Sequence, residues 1–184
     1  MTASEVAVPT FTQFTRPSEL SGARRRDLAA CWAAVVNAGG AVIPADCPLP
    51  PLTPADVEAA VDRIAESLAP ECRLLAATLD GELAGWLLVR RETHPLEAHC
   101  GVVNHVQTQV HFRGLGIGTA LMHRVHRIAR DEMGLERLKL SARAGLGLEH
   151  FYRRAGWAEI GRWPGALRLA PGDDRDEILM SLAL

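Results

Sequence analysis

The sequence predicts an α/β (α+β) fold, with helices packed on one mixed sheet. Three observations carry this. Apolar runs of β character alternate with stretches whose apolar residues recur at 3-4 spacing. Asp80-Gly81 stands between two apolar runs, which is a strong hairpin signal. A β run enters a glycine-rich turn at residues 113–118, and an amphipathic helix leaves it. The predicted order is β-α-α-β-β-β-α-β-α-β-β.

Residues 1–5 read as a flexible tail and residues 6–14 as the first strand. Arg16-Pro17-Ser18 breaks it, and Ser18 caps a helix that runs to about Asn37. Leu20, Leu28, Cys31, Trp32 and Val35 form its apolar stripe, and Gly39-Gly40 ends it. Residues 43–52 hold four prolines and read as a loop. Thr53-Pro54-Ala55-Asp56 starts a second helix with a cap, a proline in the first turn and an acid near the N-terminus. Val57, Val61, Ile64 and Leu68 form its buried face, and Pro70 stops it. Residues 74–79 and 83–89 are strands around the Asp80-Gly81 turn. Residues 92–97 form a loop and residues 100–108 a strand. After the glycine turn comes a helix over residues 117–133. His123, Arg124, His126, Arg127 and Arg130 are expected on its outer face. A strand over 135–141, a short helix over 145–155, a strand over 157–162, a loop over 165–174 and a strand over 177–184 complete the chain.

A length of 184 residues predicts a single domain spanning 1–184. Hydrophobic residues are 48% and charged residues 23%, a balance that excludes wholesale disorder. No apolar run reaches the roughly 18 residues of a membrane span, so no membrane partner is expected. The first residues lack the basic and apolar regions of a signal peptide. A net charge of −2 argues against a protein that grips nucleic acid by its phosphates. Cys31, Cys47, Cys72 and Cys100 are widely spaced with no CxxC pair, which excludes a zinc ribbon or thioredoxin-type motif; no metal is expected. Free thiols in a reducing cytoplasm are the expectation.

The glycine turn is the most informative segment. Glycines let the backbone approach a ligand. A helix N-terminus adds unpaired N–H groups and a partial positive charge, and the two together suit phosphate oxygens. Gly118 is followed by Thr119-Ala120, so the turn is not a Walker A loop. The dinucleotide fingerprint fails in both registers, at Thr119 and at Leu121. What remains is Arg-x-x-Gly-x-Gly.

Here the chain resembles the GNAT superfamily of acetyl-CoA-dependent N-acetyltransferases. Their hallmark, Gln/Arg-x-x-Gly-x-Gly/Ala between the fourth strand and third helix, is matched by Arg113, Gly116 and Gly118. Downstream, Phe151-Tyr152-Arg153-Arg154-Ala155-Gly156-Trp157 matches the family's aromatic-Tyr helix and its Gly-Phe-like entry to the next strand. A narrower likeness is to the tabtoxin-resistance acetyltransferases: Gly39-Gly40-Ala41, Ala144-Gly145 and Pro164-Gly165. The resemblance implies a mostly antiparallel sheet of six or seven strands, splayed after the fourth, with about four helices. It implies acetyl-CoA as cofactor, its pyrophosphate on the backbone of Gly114, Leu115, Gly116, Ile117, Gly118 and Thr119, with Arg113 at the rim. Val106, Gln107 and Thr108 would pair with the pantetheine arm.

By the same resemblance Tyr152, the only tyrosine, is the general acid for the departing thiolate. No carboxylate or histidine stands where relatives place the base; those positions hold Asn104, Val102, Leu140 and Ser141. Asn104, with Ser141, is read as relaying a water; His99, His111 and Glu97 are loop-adjacent alternatives, and some relatives have no dedicated base. His105 is expected on the opposite face by strand alternation. Trp163 is read as a wall of the acceptor site. The implied activity is acetyl transfer to a primary amine of a small molecule by direct attack. Acetylation of a protein N-terminus or lysine, and a non-catalytic acyl-CoA-binding domain, are the alternatives. Dimers are common among such proteins, so a homodimer is within the expectation.

Overall fold

The computed structural model describes residues 8–40 and 49–184. The strands are β1 (Thr10–Phe14), β2 (Cys72–Leu79), β3 (Glu82–Arg91), β4 (Cys100–Thr108), β5 (Arg137–Arg143), β6 (Ala158–Ala170) and β7 (Asp173–Ala183). The helices are α1 (Gly22–Asn37), α2 (Ala55–Glu66), α3 (Ile117–Arg127) and α4 (Leu148–Arg154). The seven strands form one sheet in the order β1-β2-β3-β4-β5-β7-β6. Every pair is antiparallel except β4 with β5. The expected tail at residues 1–5, Ala41 and Cys47 lie outside the described residues.

Apolar periodicity places a core on each face of the sheet. On one face Leu28, Trp32, Val57, Val61 and Ile64 of α1 and α2 pack on Leu74, Trp86 and Leu88. On the other, Ile117, Leu121 and Val125 of α3, with Tyr152 of α4, pack on Leu75, Leu87, Val89 and Leu138. Full burial of each such aliphatic side chain stabilises by about 1.5–3 kcal/mol. Asp80 and Gly81 have φ of +49° and +84° between paired Leu79 and Glu82, the turn that the Asp-Gly signal implies. Of the cysteines, Cys31, Cys72 and Cys100 are free thiols. Burial pushes the Cys31 thiol up to about 12, which leaves it a neutral packing group.

Several local expectations are corrected. The cap of α1 is Ser21, whose Oγ accepts the Arg24 N–H at 3.2 Å, and not Ser18. Ser18 lies in a separate 3-10 turn (Pro17–Glu19), which the Glu19 carboxylate ties back to the Thr15 and Arg16 N–H groups. The expected loop over 165–174 is instead the end of a long β6–β7 hairpin, turning at Pro171-Gly172 with Gly172 at φ +82°. Pro164 is tolerated because β6 is an edge strand and the register slips between Trp163 and Leu167. His126 is not on the outer face of α3: it is half-buried, and its Nε2 accepts the Trp157 indole N–H at 3.1 Å.

That contact has a pH signature. Burial first, and His123 second, lower the pKa of His126 to about 4, against about 6.5 in an unfolded chain. Between those values the unfolded chain binds a proton that the folded chain excludes, so stability falls as pH falls from about 6.5 to about 4. His126→Gln removes the titrating group. Thermal unfolding scans across that window should give a flatter profile for the variant; parallel profiles would contradict this account.

Candidate active site

The sheet divides within β4. Its parallel pairing with β5 covers only Cys100↔Arg137, Gly101↔Leu138 and Val102↔Lys139. Beyond that point β4 stays on β3, while β5 stays on β7 through Arg143↔Glu177. Gly101 permits the close packing at the base of the split, where a Cβ would come within 2.7 Å of Leu135 Cδ1.

A bulge in β4 opens the split further. Leu88 pairs with Asn104 and Trp86 with Gln107, so His105 and Val106 together stand opposite Leu87. His105 has φ +54°, a left-handed conformation that costs a non-glycine residue about 1–3 kcal/mol. Packing holds it there. Its ring is 6% exposed, stacked on Trp86 at 5.2 Å and edge-on to Trp32 at 4.6 Å. This overturns the expectation from strand alternation. The bulge turns His105 to the α1 face, the side that Asn104 also faces, and away from the α3 core.

Between the diverging strands lies a cleft of about 800 Å³. It passes through the sheet, because its lining comes from elements on both faces. On the α3 side are Arg113, Gly116, Ile117, Gly118 and Thr119, with Phe151, Tyr152 and Arg154 of α4. On the α1 side are Gly39, Gly40, Asn104, Ser141, Arg143 and Glu177. The cleft edges of residues 104–108 and 140–143 lack a neighbouring strand, so their backbone groups are available to a ligand.

The glycine turn forms the mouth on the α3 side. Gly114 and Gly116 have φ of +83° and +79°, and Gly116 caps α3. Gly118 plays a different part: a Cβ there would stand 3.3 Å from Phe151 Cζ and 3.4 Å from Thr108 Oγ1. The Arg113 and Leu115 N–H groups are engaged by the Val110 and Phe112 carbonyls. Leu115 is 62% exposed and outside the lining. The first-turn amides of α3 have no acceptor within the helix and face the mouth. Arg113 and Arg154 add positive charge there.

Among the sequence-predicted residues the cleft brings together Asn104, Val106, Gln107, Thr108, Arg113, Gly114, Gly116, Ile117, Gly118, Thr119 and Tyr152. It does not include Leu115 or Trp163. Trp163 is 68% exposed on β6, the outermost strand, and pairs with Glu177 of β7. Tyr152 is buried, and burial raises its phenol above the ordinary value. Gln107 is also buried, and its Oε1 lacks a hydrogen-bond partner among the described residues. Sequence reasoning missed Arg154, Arg143 and Glu177. Arg154 stands two residues beyond Tyr152, inside the segment already singled out. Arg143 and Glu177 meet only through β5–β7 pairing, which no local pattern announces. The Arg143 guanidinium donates to the carbonyls of Gly39 (2.6 Å) and Gly40 (3.2 Å), tying the end of α1 to β5.

The features of the α3-side mouth fit an acyl-CoA. Positive charge and helix-end amides suit its phosphates. The strand edge at 106–108 suits the amides of its pantetheine arm.

Comparison with known proteins agrees. Residues 43–157 match the model of the acetyltransferase (GNAT) family. Over 67 residues the chain is 40% identical to Elongator complex protein 3 of Dictyostelium discoideum, a match over 36% of this chain and 11% of that protein's length. Among solved structures, YncA of Salmonella typhimurium, determined with its cofactor acetyl-CoA, superposes with a TM-score of 0.72. It is 14% identical, over 97% of this chain and 95% of that chain. Ribosomal-protein-alanine N-acetyltransferase of Brucella melitensis gives 0.71 at 17% identity, over 95% and 99%. Both share the fold. Nourseothricin acetyltransferase is 28% identical over 62% of this chain and 66% of that chain, with a TM-score of 0.54.

The two glycines should fail for different reasons when replaced. Acetyl-CoA that binds only the folded state raises the melting temperature, by the equivalent of about 2.7 kcal/mol at a hundredfold excess over Kd. Gly116→Val should abolish that shift through its positive φ, and Gly118→Val should weaken it by crowding Phe151, 3.3 Å from the added Cβ. Both variants should still unfold cooperatively. An undiminished shift in either would contradict this geometry.

Proposed function

Because the chain belongs to the acetyltransferase (GNAT) family, whose acyl donor is acetyl-CoA, we propose that it acetylates a primary amine of a small molecule by direct attack on the thioester. The observation that carries this reading is the cleft through the sheet. Donor and acceptor enter from opposite faces and meet where β4 leaves β5. Holding both reactants there replaces a bimolecular encounter with a positioned one. The 28% identity with nourseothricin acetyltransferase supports an acceptor of that kind over a ribosomal protein, because the Brucella melitensis enzyme is similar in fold alone.

The residues divide the work. The glycine turn, the Gly116, Ile117, Gly118 and Thr119 amides above all, holds the pyrophosphate with Arg113 and Arg154. The backbone of residues 106–108 holds the pantetheine arm. The thioester supplies an activated acetyl group. Tyr152, kept protonated by burial, gives its proton to the departing thiolate. Asn104 and Ser141, on the acceptor side, position a water that carries away the amine proton. The three free thiols support a cytoplasmic location, and no helix among the described residues is long and apolar enough to cross a membrane.

Tyr152→Phe keeps the ring and removes the donor. Thiol release from acetyl-CoA with a panel of small amines should show kcat lowered by about 10²-fold, the ordinary worth of general acid catalysis. The acetyl-CoA melting shift should be retained. The deficit should shrink as pH rises toward about 8.5, the range of an ordinary thiol, where the thiolate leaves unaided. Equal turnover of variant and wild type across that range would return Tyr152 to core packing.

A further inference from the structure

The acceptor mouth carries one charge of a sign that the cofactor mouth lacks. Glu177 is the only carboxylate among the described residues lining the cleft. Its acidic neighbours on β7 are all committed: Asp173 pairs with Arg175, Asp174 with Arg168 and Asp176 with Arg162. Glu177 pairs with no arginine, lysine or histidine among the described residues. Its direct cross-strand neighbour is Arg143, the cation best placed to neutralise it. That guanidinium is turned instead to the Gly39 and Gly40 carbonyls. Residues paired across strands share a face, so Glu177 lies on the α1 side, with Asn104 and Ser141. The backbone of Glu177 lies one strand spacing, about 4.8 Å, from Arg143, which is two residues, about 7 Å, along β5 from Ser141. The Glu177 backbone is thus roughly 8.5 Å from that of Ser141, on the same side of the cleft.

We infer that Glu177 binds a second cationic group on the acceptor, so that the preferred acceptor is a small amine with at least two positive charges. This rests on the functional reading above. A half-buried carboxylate facing a cleft gains most from a charged donor, because a hydrogen bond between charged groups is stronger than a neutral one. The role is one of substrate selection, and its signature is in KM.

The test compares 1,6-diaminohexane with 1-aminohexane, matched in length and differing in the second charge, by thiol release from acetyl-CoA. Wild type should favour the diamine by about tenfold or more in kcat/KM. In Glu177→Gln that preference should vanish through a raised KM for the diamine, with kcat and the monoamine unaffected. Glu177→Asp, which keeps the charge, should retain part of it. An unchanged acetyl-CoA melting shift in Glu177→Gln would show an intact fold and cofactor mouth. A preference that survives in Glu177→Gln, or a loss equal for both amines, overturns the inference. Turnover of amines without any preference for a second cation overturns it while leaving the functional reading standing. If no amine in a wider panel is turned over, the functional reading fails, and this inference with it.

Discussion

The divergence of β4 from β5 is the constraint on which the rest of the structure depends. Each strand is paired on its outer side, β4 by β3 except at the His105–Val106 bulge and β5 by β7. Past Val102 and Lys139 neither can follow the other without leaving that partner. The bulge at His105 widens the gap, and the positive φ it requires is stabilised by burial of the ring between two tryptophans. The consequence is two strand edges with unpaired backbone groups facing a cleft in the middle of the protein. Left bare, such groups are costly. An extended ligand with amides of its own satisfies them, as an added strand would.

The gap opens the sheet from one face to the other, and its lining comes from both faces. The helices on the two faces give the entrances different chemistry. On the α3 side, an N-terminus, a glycine turn, Arg113 and Arg154 present positive charge. On the α1 side a helix ends, its last carbonyls accept from Arg143, and Glu177 supplies the one carboxylate of the lining among the described residues. Arg143 also ties α1 to β5 across the mouth. Tyr152 belongs to the core of one face while lining the cleft between both, so the same burial that anchors it keeps its proton in place.

Much of this was legible in the chain. The Asp80-Gly81 turn, the Arg113-to-Gly118 turn and the Phe151-Tyr152 helix are local patterns whose chemistry is set by neighbouring residues, and sequence reading locates such features well. Features that depend on distant partners were not legible. The sign of φ at His105 follows from the register against Trp86 and Leu88, and without it alternation assigns the ring to the wrong face. Pro164-Gly165 reads as a break, yet β6 continues past it, because an edge strand with a register slip tolerates a proline. Ser18 reads locally as a cap, but Glu19, folded back onto Thr15, closes a separate turn around it, and Ser21 caps the helix. Trp163 was misplaced for the same reason as the late loop. As a residue of the outermost strand it pairs with Glu177 on the α1 side but lies outside the cleft lining. Glu177 and Arg143 became a pair only when β5 met β7.

The central claim is that the cleft-facing edge of β4 is where acetyl-CoA binds. Amide hydrogen exchange, resolved by residue with and without acetyl-CoA, tests it most directly. Residues 106–108 of β4 and the first-turn amides Gly116, Ile117, Gly118 and Thr119 should gain protection together. The β5 amides already bonded to β7 should change little. Protection confined to other segments, or spread evenly over the sheet with none at residues 106–108, would contradict the account.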